Sequence, residues 1–496
     1  LIPEGPIYNL IREYSYIDKL IIIGMTEGKG AGISTTSLPR LDRLPWSSWH
    51  LKMLLILGGG MLFEGFTLGL GGGTISSIAK ILNLTTLESS VGATSAFLIG
   101  ELIGAIYLGN LSDKFGRRPL FLASMAIILA GALLTILSFN FISLAFFRAI
   151  TGFGVGGEFG ATIAALQEFM PSKTRGLYTG TGNAVLFDLG GVIASLVAYF
   201  AISTLPINTG WRVAFGTAAI LAAIILIARF GLPESPRYLV THGKEAKADQ
   251  IVSNIESRIE KKKNIKLPPV EPITIVQTEK GRFSTLFGKY KKRLILAWIL
   301  NFTETWPYYA AFGVLPFIFT KEFKYPGAHV GLLLAVITAG GVLGVFVMSY
   351  LLDVIGRRPV ITISYGVAGL MWIIVGIIYH FVPFGGFVGL LVIVYFFTYS
   401  AAGILYVQIG EMFPTEARSS GLGTAIGFGR LGGIIGSPLL ILLLPKTLSE
   451  FNLLPIFLIT GLVMIIGAIS EIVIGPELKK KSLEEASKIT GGDGKA

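Results

Sequence analysis

The chain has 496 residues, of which 52% are apolar and only 14% charged, and a mean hydropathy of +0.70. Soluble domains carry about 25% charged residues, which excludes a water-soluble globular protein; the absence of cysteine also excludes disulfides, thiolate metal sites and cysteine nucleophiles. The net charge of +11 points away from nucleic acid, because the basic residues gather in short loops between long apolar runs, the pattern that sets membrane topology.

Residues 1–50 hold no continuous apolar stretch of the kind a secretory leader needs. A helix crosses a bilayer with about 20 largely apolar residues. Twelve such runs follow, near 52–78, 91–111, 119–139, 142–166, 180–204, 211–231, 294–320, 329–352, 360–381, 386–409, 419–444 and 452–475. The sequence therefore predicts an all-α membrane protein of twelve transmembrane helices. The loops after the second, fourth, eighth and tenth runs carry DKFGRRP, PSKTR, DVIGRRP and PTEAR, whereas the opposite loops hold Lys80, Lys321, Lys324 and Lys446. This bias expects a multi-pass plasma-membrane protein with both termini cytoplasmic. The expected divisions are a cytoplasmic segment 1–50, a six-helix bundle 51–231, a cytoplasmic linker 232–293, a second bundle 294–475 and a tail 476–496.

The chain repeats itself. SDKFGRRP (112–119) returns as LDVIGRRP (352–359), EFMPSKTR (168–175) as EMFPTEAR (411–418), and Pro233-Glu234 as Pro476-Glu477, all at nearly one offset. Two homologous halves follow, joined by a linker whose EAKADQIVSNIESRIEKKK predicts a surface helix. Paired halves around a midplane site are a recurring transporter plan.

The D-x-x-G-R-R-P loops resemble the cytoplasmic signature of the major facilitator superfamily, with similarity from about Lys52 to Lys481. PESPRYLVTHGKEA (233–246) and the E-x-x-P-x-x-x-R loops are similar to its sugar-porter and organic-solute branches. The resemblance implies two pseudo-symmetric six-helix bundles (the major facilitator fold). It also implies a central cavity lined by helices 1, 4, 5, 7, 8, 10 and 11, alternating access, and a monomer. Its cytoplasmic gate network would comprise Asp113, Arg117, Arg118, Glu168, Arg175, Glu234, Asp353, Arg357, Arg358, Glu411 and Arg418. Physically, Asp113 and Asp353 can face a neighbouring helix N-terminus, and the four loop arginines can pair with Glu168, Glu411 and Glu234. Exposed pairs are individually weak, so only a network biases the conformations.

Ionisable residues inside spans are costly and mark function: Glu64, Glu101, Arg148, Glu158, Asp188, Glu304, Arg430 and Glu471. Glu101 and Asp188 could be structural partners within their own half, and Glu471 lies near a helix end. In helix four, GFGVGGEFG (152–160) matches the dinucleotide-binding spacing G-x-G-x-x-G, but apolar sequence runs on through both flanks where a strand and a turn are required. At about 100° per residue, Gly152, Gly156 and Gly160 instead form a close-packing face beside a stripe holding Arg148 and Glu158. Those two charges are roughly 15 Å apart along the axis, so each needs a partner on another helix.

LFEGFTLG around Glu64 is similar to a stretch of phosphate and organic-acid symporters, whereas sugar porters place the acid where this chain has Thr67. Arg148 matches the helix-four arginine of sugar porters, and Glu158 the acid of phosphate and metabolite symporters. In NFTETWPYY (301–309), Asn301, Glu304 and Tyr308 share a face, and Pro307 frees a carbonyl. The sugar-porter glutamines and asparagine are replaced by Trp298, Ile299 and Glu304, the helix-five glutamine by Asn183 and a helix-ten tryptophan by Tyr406.

A membrane carboxylate carries a proton when burial favours its neutral form and a cation reverses that preference. Proton-coupling candidates are therefore Glu64, Glu158 and Glu304, with Arg148 as movable counter-charge. Substrate-binding candidates are Thr67, Asn183, Asn301, Tyr308, Tyr399 and Tyr406, although aromatic residues such as Tyr399 more often serve packing. The expected function is proton symport of a small polar solute, either a sugar or a small organic or inorganic anion. The alternatives are a proton-independent facilitative carrier and a non-transporting sensor on the same fold. The expected partners are the solute, protons and the lipid bilayer, without nucleic acid. No cofactor or metal is expected, and the scattered His50, His242, His329 and His380 offer no triad for an enzyme.

Overall fold

The computed structural model describes residues 33–171, 182–275, 286–413, 415–444 and 452–479. Arg175 lies outside the described residues, as do the side chains of Asp113, Asp353 and Arg418. The N-terminal half contains α1 (Ser48–Ile81), α2 (Ala96–Phe115), α3 (Arg117–Ile136), α4 (Phe141–Phe169), α5 (Gly182–Thr204) and α6 (Ile207–Arg229). The C-terminal half contains α7 (Lys291–Lys321), α8 (Val330–Val354), α9 (Arg357–Ile378), α10 (Phe384–Met412), α11 (Thr415–Leu442) and α12 (Leu454–Ile474). A short helix Thr86–Ser90 and a π-helical turn Val91–Ser95 lead into α2. Among the described residues, eleven helices are long and apolar enough to cross a membrane. The further one, α7, is 31 residues long and carries Asn301, Glu304, Pro307 and Tyr308 in its middle, which lowers its hydropathy without shortening it.

The two halves repeat one packing scheme. In the first, α1 packs on α5, α2 on α4, and α3 on α4 and α6; in the second, α7 packs on α11, α8 on α10, and α9 on α10 and α12. Across the interface, α5 meets α8, α1 meets α7 and α2 meets α11. The peripheral helices α3, α6, α9 and α12 are only 39–44% buried over their apolar windows, against 83% for α1. They turn residues such as Leu133, Ile220, Leu370 and Ile466 outward, as helices bathed in lipid do.

Local chemistry accounts for the helix ends and close contacts. Asn140 caps α4, accepting from the Ser143 N–H at 2.8 Å, while the Ser143 hydroxyl accepts from the Asn140 N–H at 3.1 Å, a reciprocal cap. Gly152 and Gly156 of α4 sit where an added Cβ would strike the carbonyl oxygens of Phe97 and Glu101, so α2 and α4 touch backbone to backbone. Gly160, expected on the same face, meets open space instead, while Gly157 in the same turn still packs against Leu108 of α2.

The entries to α3 and α9 show the internal repeat in three dimensions. Gly116 (φ +99°) and Gly356 (φ +123°) turn the chain in the left-handed region that glycine tolerates. Behind each turn a carboxylate meets the new helix N-terminus: Glu234 accepts from the Arg117 N–H at 2.9 Å and Glu477 from the Arg357 N–H at 3.0 Å, favourably placed against the helix dipole.

Outside the spans, the helix Glu245–Lys263 buries Val252, Ile255 and Ile259 against Leu41 and Leu44. The short helix Ser37–Asp42 lies on it through Arg40, whose guanidinium contacts Asp249 and Glu256, with Arg43 adding a second contact to Glu256. Ile33–Thr35 pairs antiparallel with Ile273–Ile275. The segment before α1 is thereby fastened to the linker between the halves.

Candidate functional site

A cavity lies between the two bundles. The first half contributes Met61 and Glu64 (α1), Phe159 and Ile163 (α4), and Asn183, Ala184, Phe187 and Asp188 (α5). The second contributes Glu304, Thr305, Tyr308 and Tyr309 (α7), Tyr399, Ala402 and Tyr406 (α10), and Arg430 (α11). Helix α8, expected in the lining, is absent from it: Gly341 packs flat on the Tyr399 ring and Thr338 on Gly191, so α8 buttresses the wall from behind.

Arg430 organises one side. Its Nη2 lies 3.1 Å from Glu64 Oε1 and also contacts Glu101 Oε1, and its Nη1 donates to the Tyr309 hydroxyl. That hydroxyl in turn donates to Glu64 at 3.1 Å. Two carboxylates from the first half thus share one guanidinium from the second. The remaining oxygens, Glu64 Oε2 and Glu101 Oε2, are buried without a partner. The guanidinium stacks over Phe159 and Tyr309, each ring centroid 5.4 Å away. On the other side, Tyr308 donates to Asp188 Oδ1 at 2.8 Å, again across the halves. Glu101 and Asp188, for which partners within their own half were one option, instead bridge the two bundles. Sequence places them in spans but gives no register between halves.

Several expected residues stand elsewhere. Glu158 is removed from both the cavity and Arg148. It forms a two-pronged pair with Arg229 at the end of α6 (Oε2 to Nη2 is 2.8 Å), and Ser124 donates to its Oε1 at 2.8 Å. Arg148 does not face Glu64 or Glu158. Its Nη1 donates to Thr67 Oγ1 at 2.6 Å and its Nε to the Ala93 carbonyl at 2.9 Å, while the Phe97 and Phe215 rings pack on it at 4.7 and 5.5 Å. No carboxylate pairs with it among the described residues, and its Nη2 is buried unpartnered. Thr67 is therefore a hydrogen-bond partner of Arg148 rather than a lining residue. Asn301 turns back to the Ala297 carbonyl at 3.0 Å and packs against Gly429, because the α7 face it shares with Glu304 and Tyr308 meets α11 at that level. Asn183, Tyr308, Tyr399 and Tyr406 do line the cavity. Glu471 accepts from Gln408 at 2.7 Å, a buried α10–α12 bond.

The gate residues repeat with the halves. Arg117 reaches Glu168 at 3.3 Å, and Arg357 reaches Glu411 at 3.0 Å. The Arg118 guanidinium donates to the Phe230 carbonyl at 2.9 Å, and that of Arg358 to Ile472. Each set lies within its own bundle. Glu477 completes the second set, a role signalled by the Pro476-Glu477 echo. The sequence does not single out Arg229, and it places Arg430 only among the costly charges inside spans, without a partner.

The family profile described as Sugar (and other) transporter matches residues 52–489. The chain belongs to this transporter family of the major facilitator superfamily. It is a multi-pass membrane transporter, not an enzyme. The niacin transporter NiaP of Acinetobacter baylyi is 26% identical over 452 residues, covering 90% of this chain and 98% of that one. The inner membrane metabolite transport protein YgcS of Escherichia coli is 27% identical over 462 residues, covering 92% and 98%. A structure of the proton:xylose symporter XylE, bound to 6-bromo-6-deoxy-D-glucose, superimposes with a TM-score of 0.70 at 20% identity over 88% of this chain and 98% of that one. This likeness establishes the fold of two six-helix bundles.

Proposed function

We propose that the protein is a proton-coupled symporter of a small polar solute, working by alternating access in the plasma membrane as a monomer, with both termini in the cytoplasm. The observation that carries this reading is Arg430. It ties Glu64 and Glu101 of one bundle to the other bundle, leaving one more carboxylate than cation in a site shielded from water. A net buried charge is expensive, and one proton on Glu64 or Glu101 neutralises it. Protonation also loosens the carboxylate's hold on Arg430, so that proton binding and the parting of the bundles become linked.

Arg148 serves this scheme from outside, fixing α4 against α1 and the turn before α2. Glu158, already paired with Arg229, holds α4 to α6. The arginines after Gly116 and Gly356 brace each bundle as a rigid body at its cytoplasmic end. A sugar and a small anion are the solutes implied by resemblance, and NiaP, YgcS and XylE are named for niacin, metabolite and xylose transport. An anion fits the cavity poorly, since its guanidinium is already engaged by two carboxylates.

Reconstitution tests the coupling. In proteoliposomes, Glu64→Gln is expected to retain solute counterflow and to lose accumulation driven by an imposed pH gradient. Full pH-driven accumulation by Glu64→Gln and Glu101→Gln alike would remove the proton from the reading.

A further inference from the structure

The charge balance of the cavity extends to the solute. Besides the Arg430 group, two carboxylates line it. Asp188 is 3% exposed and its Oδ2 is buried without a hydrogen-bond partner. Glu304 is 2% exposed, faces the same space, and has no hydrogen bond or ion pair among the described residues. Arg430 reaches Glu304 only through space, and its direct ion pairs go to Glu64 and Glu101, so four buried carboxylates share one guanidinium. Buried carboxylates in excess of cations are rare, so a positive group belongs between these two.

The surrounding rings fit the same ligand. Tyr308 lies 4.3 Å from Tyr399 and 5.3 Å from Phe187, centroid to centroid. Aromatic faces attract cations, more strongly where water is excluded. Asn183 is the one carboxamide in the lining, and the Thr305, Tyr308 and Tyr309 hydroxyls there already donate to Gly429, Asp188 and Glu64, which suits the many hydroxyls of a sugar less well.

We propose that the solute is a small organic cation, such as a protonated amine, whose charge sits between Asp188 and Glu304 and whose apolar part rests on Tyr308, Tyr399 and Phe187. This rests on the transporter reading and names its substrate class. The proton-coupling group around Arg430 is separate from the carboxylates that hold the solute, so a cation and a proton can be bound together.

Thermal shift of the purified full chain and counterflow in proteoliposomes test it, with phenethylamine, benzyltrimethylammonium, neopentylbenzene (the uncharged isostere of the latter), nicotinate and D-glucose as probes. The expected result is that the two cations raise Tm, that neopentylbenzene, nicotinate and D-glucose do not, and that labelled phenethylamine shows counterflow. Asp188→Asn, which keeps an acceptor for Tyr308, and Glu304→Gln should each weaken the cation response about tenfold. The inference is overturned if neither cation shifts Tm, if neopentylbenzene matches benzyltrimethylammonium, or if both variants, folded, keep the wild-type cation response. Should a variant fail to fold, the wild-type probe series decides alone. Counterflow of D-glucose or nicotinate without any cation response sinks the cation and keeps the carrier. A cation shift without counterflow of any probe keeps the site and sinks the carrier.

Discussion

Replacing Glu158 separates a structural charge from a transporting one. Glu158 and Arg229 have fully buried side chains. Glu158→Gln preserves shape but turns one of the two acceptor positions into an amide donor facing the guanidinium, where Nη2 now meets Oε2 at 2.8 Å. Arg229 then keeps the remaining amide oxygen, the Phe121 carbonyl at 3.1 Å and the Phe121 ring at 5.2 Å, but no counter-charge. Water cannot fill the gap, since α1 packs directly over the carboxylate: a Cβ at Gly60 would collide with Glu158 Oε2. Breaking a buried pair on one side costs about 3–5 kcal/mol, which corresponds to a fall in Tm on the order of 10 °C. Glu158→Gln combined with Arg229→Met removes both charges and should recover most of that loss. Thermal unfolding of the single and double variants, with counterflow on the folded fraction, measures both effects. A Glu158→Gln variant with wild-type Tm and abolished pH-driven uptake would refute the argument and return Glu158 to the proton path.

Three further outcomes follow from other contacts. Thr67→Asp places a carboxylate against Arg148, whose Nη1 is 2.6 Å from Thr67 Oγ1; pairing that buried charge should stabilise by about 1–3 kcal/mol, and a lower Tm would contradict the view of Arg148 as an unpaired cation. At Glu256, burial pushes the carboxyl up, but hydrogen bonds and charges from Arg40 and Arg43 outweigh it and hold the group below the ordinary glutamate range. A carboxyl depressed in the folded state stabilises above its unfolded value of about 4.3 and loses that stabilisation as pH falls through its folded value. Hydrogen exchange in Ser37–Asp42 should therefore stay slow at neutral pH and quicken below about pH 4, and Glu256→Gln should make it fast throughout. Gly356→Ala strains a residue at φ +123° and drives a Cβ into Glu477, at about 1–3 kcal/mol; Glu477→Ala removes only the helix-terminal contact, at about 1 kcal/mol, so the order of their Tm losses checks the geometry.

Much of this protein is legible one helix at a time. Whether a run of residues can enter a bilayer depends on its own composition, so the apolar runs and their basic loops appear directly in the sequence. The repeated G-R-R-P, E-x-x-P-x-x-x-R and Pro-Glu signals disclose two halves, because the same local chemistry closes each bundle: a positive-φ glycine, a helix start and a carboxylate to meet it. Within a helix, periodicity also gives true faces. Gly152 and Gly156 pack against α2, and Arg148 and Glu158 do find partners on other helices.

The identity of those partners depends on how the helices are arranged. Periodicity fixes an azimuth on one helix but not which helix lies opposite or at what height. Arg148 therefore reads as a counter-charge for Glu64 or Glu158, whereas the fold gives it Thr67, gives Glu158 to Arg229, and brings Arg430 from the far half to Glu64 and Glu101. Asp188 and Tyr308, 120 residues apart, become hydrogen-bonded neighbours, and Glu304 is left facing the cavity without an ion pair of its own among the described residues. Composition and repetition determined by themselves that the chain spans a membrane as two like bundles, since those are properties of single segments. Which charges face one another across the cavity was decided only by the packing of the bundles, because a Coulombic or hydrogen-bonded contact depends on distances of a few ångströms between helices that lie far apart in the chain.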